Sequence, residues 1–284
     1  MAKQSEVHIT HPERVISEIG NITKGELADY YSTVAPLMLP SITRRPISLL
    51  RCPEGVDKEC FYQRNPGRGL GKSVHTFPFR HKEKDYEYLY IDSEEGLLEL
   101  VQMGAIEIHP WGAPIDSIDR PDRLILDLDP APDVPFAAVK LAALDVRARL
   151  QSLGLASNLR CTGGKGLHVW VPLEPSVSWS ELKEFAGSVA HQMVADLPDV
   201  YVATMTKAKR KGRIFVDYFR NDYTSTAIAD YSVRARPGAP VAVPIDWKEL
   251  EGLVSADQFR ISDVRKRVKG KRRSLSVKAQ KFPA

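Results

Sequence analysis

Asp127 and Asp129 stand one residue apart in RLILDLDP (123–130), inside an apolar run that predicts a buried β-strand. Side chains alternate faces along a strand, so both carboxylates share one face while Leu126 and Leu128 take the other. Adjacent carboxylates raise each other's pKa unless a cation sits between them. Oxygen ligands at this spacing suit a hard divalent ion, Mg²⁺ or Mn²⁺, completed by water and phosphate oxygens. RIFVDYF (213–219) embeds a third carboxylate, Asp217, in an apolar strand, and the three together could hold one or two cations. Two such ions activate a primer hydroxyl, align a triphosphate and stabilise the departing pyrophosphate. The plainer alternative is a strand end where both aspartates emerge into solvent, with Asp217 a hydrogen-bonded structural residue; Pro130 keeps it open.

Between these carboxylates lies CTGGKGLHVWV (161–171), where Gly163 and Gly164 permit close backbone approach to an anion and Thr162, Lys165 and His168 supply donors. It is no Walker A loop: Gly166 follows Lys165, and Leu159 occupies the position of the first glycine. A bare hairpin turn with a core histidine is the competing reading. TKAKRKGR (206–213), with Arg210, and Arg234 in YSVRAR add positive charge to the same neighbourhood, unless they belong to solvated loops.

The elements that must position these groups are legible from periodicity. Thr23 and Glu26 form a capping signature for a helix over 23–39 that Pro40 ends. Strands follow at 46–53 and 59–65. Alternation predicts a hairpin over SVHTFPF and DYEYLYI with a charged tip at 80–85, then a helix at 94–105 and a strand at 106–111. From 123 to 219 the order is strand, helix, strand, strand, helix, strand, which predicts an RRM-like sheet in a mixed α/β chain.

The chain has 284 residues and is 43% hydrophobic, enough for a sizeable core. Its net charge of +4 conceals seven positive charges in RKRVKGKRR (265–273), the rest summing to −3. A polyanionic partner would be met by this tail and by local patches. No run of about 18 apolar residues occurs, and MAKQSEVHIT is no signal peptide, so a cytoplasmic, nucleoid-associated protein without a membrane partner is expected. Cys52, Cys60 and Cys161 are odd in number and form no CxxC, which predicts reduced structural thiols.

Taken together, DLDP, TGGKGLHVWVPL, IFVDYF, MGAIEIHPWG and the span from HPERVI to YSVRARPGAPVAVPIDW resemble the archaeo-eukaryotic primase superfamily, most closely the polymerase module of bacterial ligase D. The resemblance implies one catalytic domain over 1–264, with an N-terminal α/β module of about 1–120, an RRM-like module of about 121–264 and an active-site cleft between them, followed by a basic tail, 265–284. It implies metal binding by Asp127, Asp129 and Asp217, with manganese favoured. Triphosphate binding falls to Thr162, Gly163, Gly164, Lys165, His168 and Arg234, with Arg51 a further candidate. Phe61 would stack on the base or its template pair beside Arg64, on the same face of the short strand. His109 would lie near the sugar, where contacts to a 2′-hydroxyl favour ribonucleotides. Arg14 and Lys24 would form a pocket for the 5′-phosphate of a gap or broken end, and the charged tip at 80–85 would help to pair ends. Arg210 would contact DNA.

The function expected is metal-dependent, DNA-primed, template-directed nucleotide addition that prefers ribonucleotides, filling gaps and extending ends during non-homologous end joining. A Ku end-binding protein and an ATP-dependent DNA ligase are the expected partners, whether the chain stands alone or is an excised module. A primase is the near alternative; a metal-dependent nuclease or phosphohydrolase and a non-catalytic nucleic-acid binder are the distant ones.

Overall fold

The computed structural model describes residues 7–67, 69–269 and 277–283. In chain order its elements begin with strands β1 (Val15–Ser17) and β2 (Ile22–Thr23), helix α1 (Lys24–Ile42), and strands β3 (Ile47–Arg51), β4 (Phe61–Gln63), β5 (Val74–His81) and β6 (Lys84–Ile91). Helix α2 (Glu94–Gln102) and strands β7 (Ala105–Pro110) and β8 (Arg123–Pro130) follow, then α3 (Phe136–Ser152), β9 (Asn158–Cys161), β10 (Leu167–Pro172) and α4 (Trp179–Asp196). The last elements are β11 (Tyr201–Val202), β12 (Ile214–Asp217), β13 (Val243–Ile245) and α5 (Ile261–Val268). This is the mixed α/β class that the pattern predicts. Among the described residues no helix is long and apolar enough to cross a membrane.

Two compact units result. One comprises Met1–Asp116, Ile228–Ala242 and Phe259–Ser274; the other comprises Ser117–Ala227, Val243–Gln258 and Leu275–Ala284. The expected consecutive modules meeting near residue 120 are thus interleaved. Residues 228–242 join the first unit because their backbone is hydrogen-bonded there: Ala229 N–H donates to the Ile108 carbonyl (2.9 Å), and Tyr30 Oη to that of Tyr231 (2.8 Å). Part of the expected tail is also ordered. Arg265 lies in α5 and donates to the Glu26 carbonyl (3.2 Å), while Gln280 exchanges hydrogen bonds with Ala156 in the second unit. Residues 270–276 and 284 of that tail, and Arg68, lie outside the described residues.

In the first unit β3 pairs with β4, β6 and β7, and β5 completes a five-stranded sheet. Helix α1 begins as its capping box predicts: Thr23 N–H donates to Glu26 Oε2 (2.9 Å), and Glu26 N–H to Thr23 Oγ1 (3.2 Å). Pro40 does not end it. The helix continues to Ile42 because Met38 and Ile42 are buried in the core, which outweighs the single hydrogen bond that the proline forfeits. Thr23→Ala is expected to lower the unfolding free energy by about 1 kcal/mol, read as a shifted urea midpoint with an unchanged slope.

The expected reduced thiols are corrected. Arg51 and Phe61 are directly opposed in the β3–β4 ladder, so the next residue on one strand and the preceding residue on the other come together as a Cys52–Cys60 disulfide, with Cα atoms 4.4 Å apart. Cys161 is buried on β9.

The second unit carries a six-stranded sheet in the order β11-β12-β8-β10-β9-β13. Its four inner strands reproduce the RRM arrangement, in which the first and third strands of the motif are central. Leu124, Leu126 and Leu128 are buried on the face of β8 opposite the carboxylates, as the alternation predicts.

Candidate active site

The sheet register of the second unit builds a row of polar side chains. Asp217 on β12 opposes Asp127 on β8, Asp127 opposes His168 on β10, and His168 opposes Arg160 on β9. Directly opposed residues share a face, so four adjacent strands present these groups together. Asp129 lies two residues along on the same face. His168 Nε2 is 3.4 Å from Asp127 Oδ2, and Arg160 Nη1 is 3.3 Å from His168 Nδ1. The guanidinium can only donate, so His168 Nδ1 accepts and Nε2 carries the proton facing Asp127. Burial holds this imidazole below its ordinary pKa despite Asp127, so it is neutral at pH 7.

Two arginines answer the carboxylate charge. Arg220, just after β12, places Nε 3.1 Å from Asp217 Oδ2 and Nη2 3.4 Å from Asp127 Oδ2. Asn221 holds this loop in place by bonding both the N–H and the carbonyl of Ile125 on β8. Arg210, expected to contact DNA, lies over the Phe215 ring at 3.8 Å, with Nη1 3.5 Å from Asp129. Phe215 opposes Asp129 in the ladder, which explains the reach. Burial, reinforced by Asp127, outweighs Arg220 and lifts the Asp217 carboxyl to about 6. Partial burial and then Asp127 lift Asp129, against Arg210, Arg220 and Lys165.

Among the described residues no three His, Cys, Asp or Glu side chains are already gathered as a metal-chelating cluster. The donor chemistry nonetheless fits a hard divalent cation: three carboxylates share one face, and two, Asp217 and Asp129, have pKa values raised by burial and then by the charge of Asp127, a repulsion that a cation would relieve. Asp127, Asp129 and Asp217 are the residues that could hold it.

The turn between β9 and β10 differs from the expected phosphate cradle in how its donors are used. Thr162 Oγ1 donates to the Gly166 carbonyl (2.8 Å) and accepts from Gly164 N–H (3.2 Å), and Gly163 N–H donates to the Ala256 carbonyl (3.1 Å). Thr162 and the Gly164 amide thus close the turn, the Gly163 amide ties it to the segment at Ala256, and Lys165 is its exposed cation. Gly166 is required by close packing, since a Cβ there would lie 2.2 Å from the Leu128 carbonyl oxygen. Gly166→Ala is expected to push β10 from β8 and to cost about 1–3 kcal/mol, read by urea denaturation.

In the first unit Arg14, Lys24 and Arg51 line a cavity of about 230 Å³ together with Gln102 and Met103. Arg51 thus stands with the two residues expected to bind a 5′-phosphate. Its Nε donates to the Met103 carbonyl (2.8 Å), Nη1 to Gln63 Oε1 (2.6 Å), and its guanidinium lies 5.3 Å from the Phe61 ring centroid. Phe61 is substantially exposed, as a stacking residue requires. Arg64 does not share its face: β4 ends at Gln63, and the two-residue period aligns Phe61 with Gln63. His109 and Arg234 are joined by a residue that the motif reading passed over, Glu107 on β7, which lies 2.8 Å from the first and 3.1 Å from the second. Arg160 and Arg220 were missed because they flank the quoted motifs, and Glu107, although inside MGAIEIHPWG, because attention there fell on His109. Alternation along IEIH would have put Glu107 beside His109.

A family profile described as the LigD primase-polymerase domain matches residues 23–275. The chain is 37% identical over 262 residues to the multifunctional non-homologous end joining protein LigD of Pseudomonas aeruginosa, covering 92% of this chain and 31% of that protein. It is 26% identical over 266 residues to the bifunctional non-homologous end joining protein LigD of Bacillus subtilis, covering 93% of this chain and 42% of that protein. The chain therefore spans well under half the length of these relatives. Among solved structures, the polymerase domain of Mycobacterium tuberculosis ligase D in complex with DNA superposes with a TM-score of 0.86 at 31% identity, covering 94% of this chain and 95% of that one. With its RRM-ordered sheet, its strand-borne carboxylates and a profile match over nearly its whole length, the chain belongs to the LigD primase-polymerase domain family.

Proposed function

We propose that the chain is a divalent-metal-dependent nucleotidyltransferase that extends a DNA primer on a template, prefers ribonucleotides, and fills gaps and ends during non-homologous end joining. The observation that carries this reading is the row Asp217, Asp127, His168 and Arg160 across one sheet face, with Asp129 beside it. Family membership and the DNA-bound M. tuberculosis polymerase domain support it.

Asp127, Asp129 and Asp217 would hold Mn²⁺ or Mg²⁺, whose chemistry is to acidify the primer hydroxyl and neutralise the leaving pyrophosphate. Arg220 and Arg210 balance the carboxylates in the absence of that charge. Neutral His168, fixed by Arg160, offers an N–H beside Asp127 for a phosphate oxygen, and Lys165 offers an ammonium from the turn. Arg234 is assigned to the triphosphate, His109 to the sugar and Phe61 to base stacking. Arg14, Lys24 and Arg51 form a cationic cavity for the 5′-phosphate at the downstream edge of a gap. The partners follow from the relatives' end-joining role: Ku at the DNA end and an ATP-dependent ligase to seal it.

The test is extension of a primer on a gapped, 5′-phosphorylated duplex with Mn²⁺ and either ribo- or deoxyribonucleoside triphosphates. Templated addition favouring ribonucleotides supports the reading. Synthesis without a primer would redirect it to a primase, shortening of the primer to a nuclease, and no reaction by folded protein would overturn it.

A further inference from the structure

Glu107 lies on β7, two residues before His109, so strand alternation points both side chains to one face. It is 2% exposed, and burying a carboxylate is costly unless its charge is answered. Two hydrogen-bond donors and one ion-pair partner answer it. Oε2 lies 2.8 Å from His109 Nε2, while Oε1 lies 3.1 Å from Arg234 Nε and accepts from the backbone N–H of Ala235 at 2.8 Å. Burial opposes the charge, but the His109 hydrogen bond, Arg234 and the Ala235 amide prevail and take the carboxyl down to about 2. An ionised carboxylate only accepts, so the proton on His109 resides at Nε2, and the ring orientation is set with it.

We propose that Glu107 is the positioning residue for nucleotide recognition, orienting His109 toward the sugar and Arg234 toward the triphosphate through the two oxygens of one buried carboxylate. The proposal rests on the nucleotide-binding reading of those two residues. A carboxylate suits this role better than two independent partners. The imidazole and the guanidinium come from segments more than a hundred residues apart in sequence, and one rigid group sets both directions at once. The Ala235 bond also fixes the backbone beside Arg234, so the arginine departs from an anchored point. Glu107→Gln keeps the volume but replaces one acceptor with an NH₂ donor, which must face either His109 or the Arg234–Ala235 pair. One of the two orientations is therefore lost.

The experiment measures KM, kcat and the ribo-to-deoxyribonucleotide preference for the full chain, Glu107→Gln, Glu107→Asp, His109→Ala and Arg234→Ala, and for Glu107→Gln combined with each alanine variant. The expected result for Glu107→Gln is a rise in triphosphate KM of about tenfold and a comparable fall in sugar preference, with kcat changed less. Its effect on sugar preference should vanish in the His109→Ala background and its effect on KM should shrink in the Arg234→Ala background. A general loss of structure would instead add in both. Glu107→Asp, which keeps the charge but shortens the reach, should shift both readouts in the same direction by less. Unchanged preference and KM in folded Glu107→Gln, or additivity with both partners, overturns the proposal while leaving the polymerase reading intact. If the unaltered chain extends no primer, the polymerase reading fails, and equilibrium binding of ATP against dATP decides for Glu107: a preference lost in Glu107→Gln supports it, and equal binding by both proteins overturns it. Failure of both Glu107 variants to reach the native melting behaviour would make the residue structural and overturn it too.

Discussion

Asp127→Ala is expected to lose nucleotide addition by about a thousandfold or more while remaining folded, because Lewis-acid stabilisation supplies several kcal/mol and each 1.36 kcal/mol is about tenfold in rate. Asp127 is the centre of the row: it opposes both Asp217 and His168 and lies within 3.4 Å of Arg220 and of His168. Removing it takes a ligand from the proposed cation and a partner from the proton on His168. The fold should survive because its loss relieves repulsion on Asp217 and Asp129, and Arg220 keeps Asp217 at 3.1 Å. The melting temperature in chelator should therefore equal or exceed that of the unaltered protein. Single-turnover primer extension across a Mn²⁺ titration checks the rate, and Mn²⁺ binding by electron paramagnetic resonance checks the ligand role. Retained activity at saturating Mn²⁺ would sink the assignment of these carboxylates.

The combined Arg14→Ala and Lys24→Met substitutions are expected to abolish discrimination between gapped duplexes ending in 5′-phosphate and 5′-hydroxyl. Lys24 is 7% exposed; its Nζ donates to the Thr10 carbonyl (3.0 Å) and to Gln102 Oε1 (2.8 Å), which aim the ammonium. Burial and then Arg14 hold its pKa below the ordinary lysine value, so a phosphate entering the cavity would restore a favourable environment for its charge. Each charge-assisted hydrogen bond is worth about 1.5–3 kcal/mol, so losing two should weaken binding of the phosphorylated gap by about a hundredfold or more and leave the hydroxyl gap nearly unchanged. The logarithmic salt dependence of binding should also flatten, by about 0.9 for each phosphate that the protein ceases to neutralise. Fluorescence anisotropy with both duplexes at several salt concentrations measures this. Equal weakening on both duplexes would show general DNA attraction instead of a phosphate pocket.

The element pattern and the carboxylate motif were legible in the sequence because both are local. Thr23 and Glu26 sit three apart and cap α1, Leu124, Leu126 and Leu128 alternate against Asp127 and Asp129 on β8, and the strand and helix order over 123–219 leads to the RRM sheet. What the sequence did not expose depends on pairing across distance. Arg220 reaches Asp127 because β12 lies beside β8, Arg160 reaches His168 because β9 lies beside β10, and Arg51 faces Phe61 because β3 and β4 are in register. Residues 228–242 return to the first unit through backbone hydrogen bonds that no side-chain pattern announces. By itself the sequence determined which residue types line each strand face, since a period of two is intrinsic to the extended chain. Only the tertiary structure decided which faces meet, which buried charges answer one another, and that Cys52 and Cys60 join, because strand register and sheet order are set by the global burial of apolar surface rather than by local spacing.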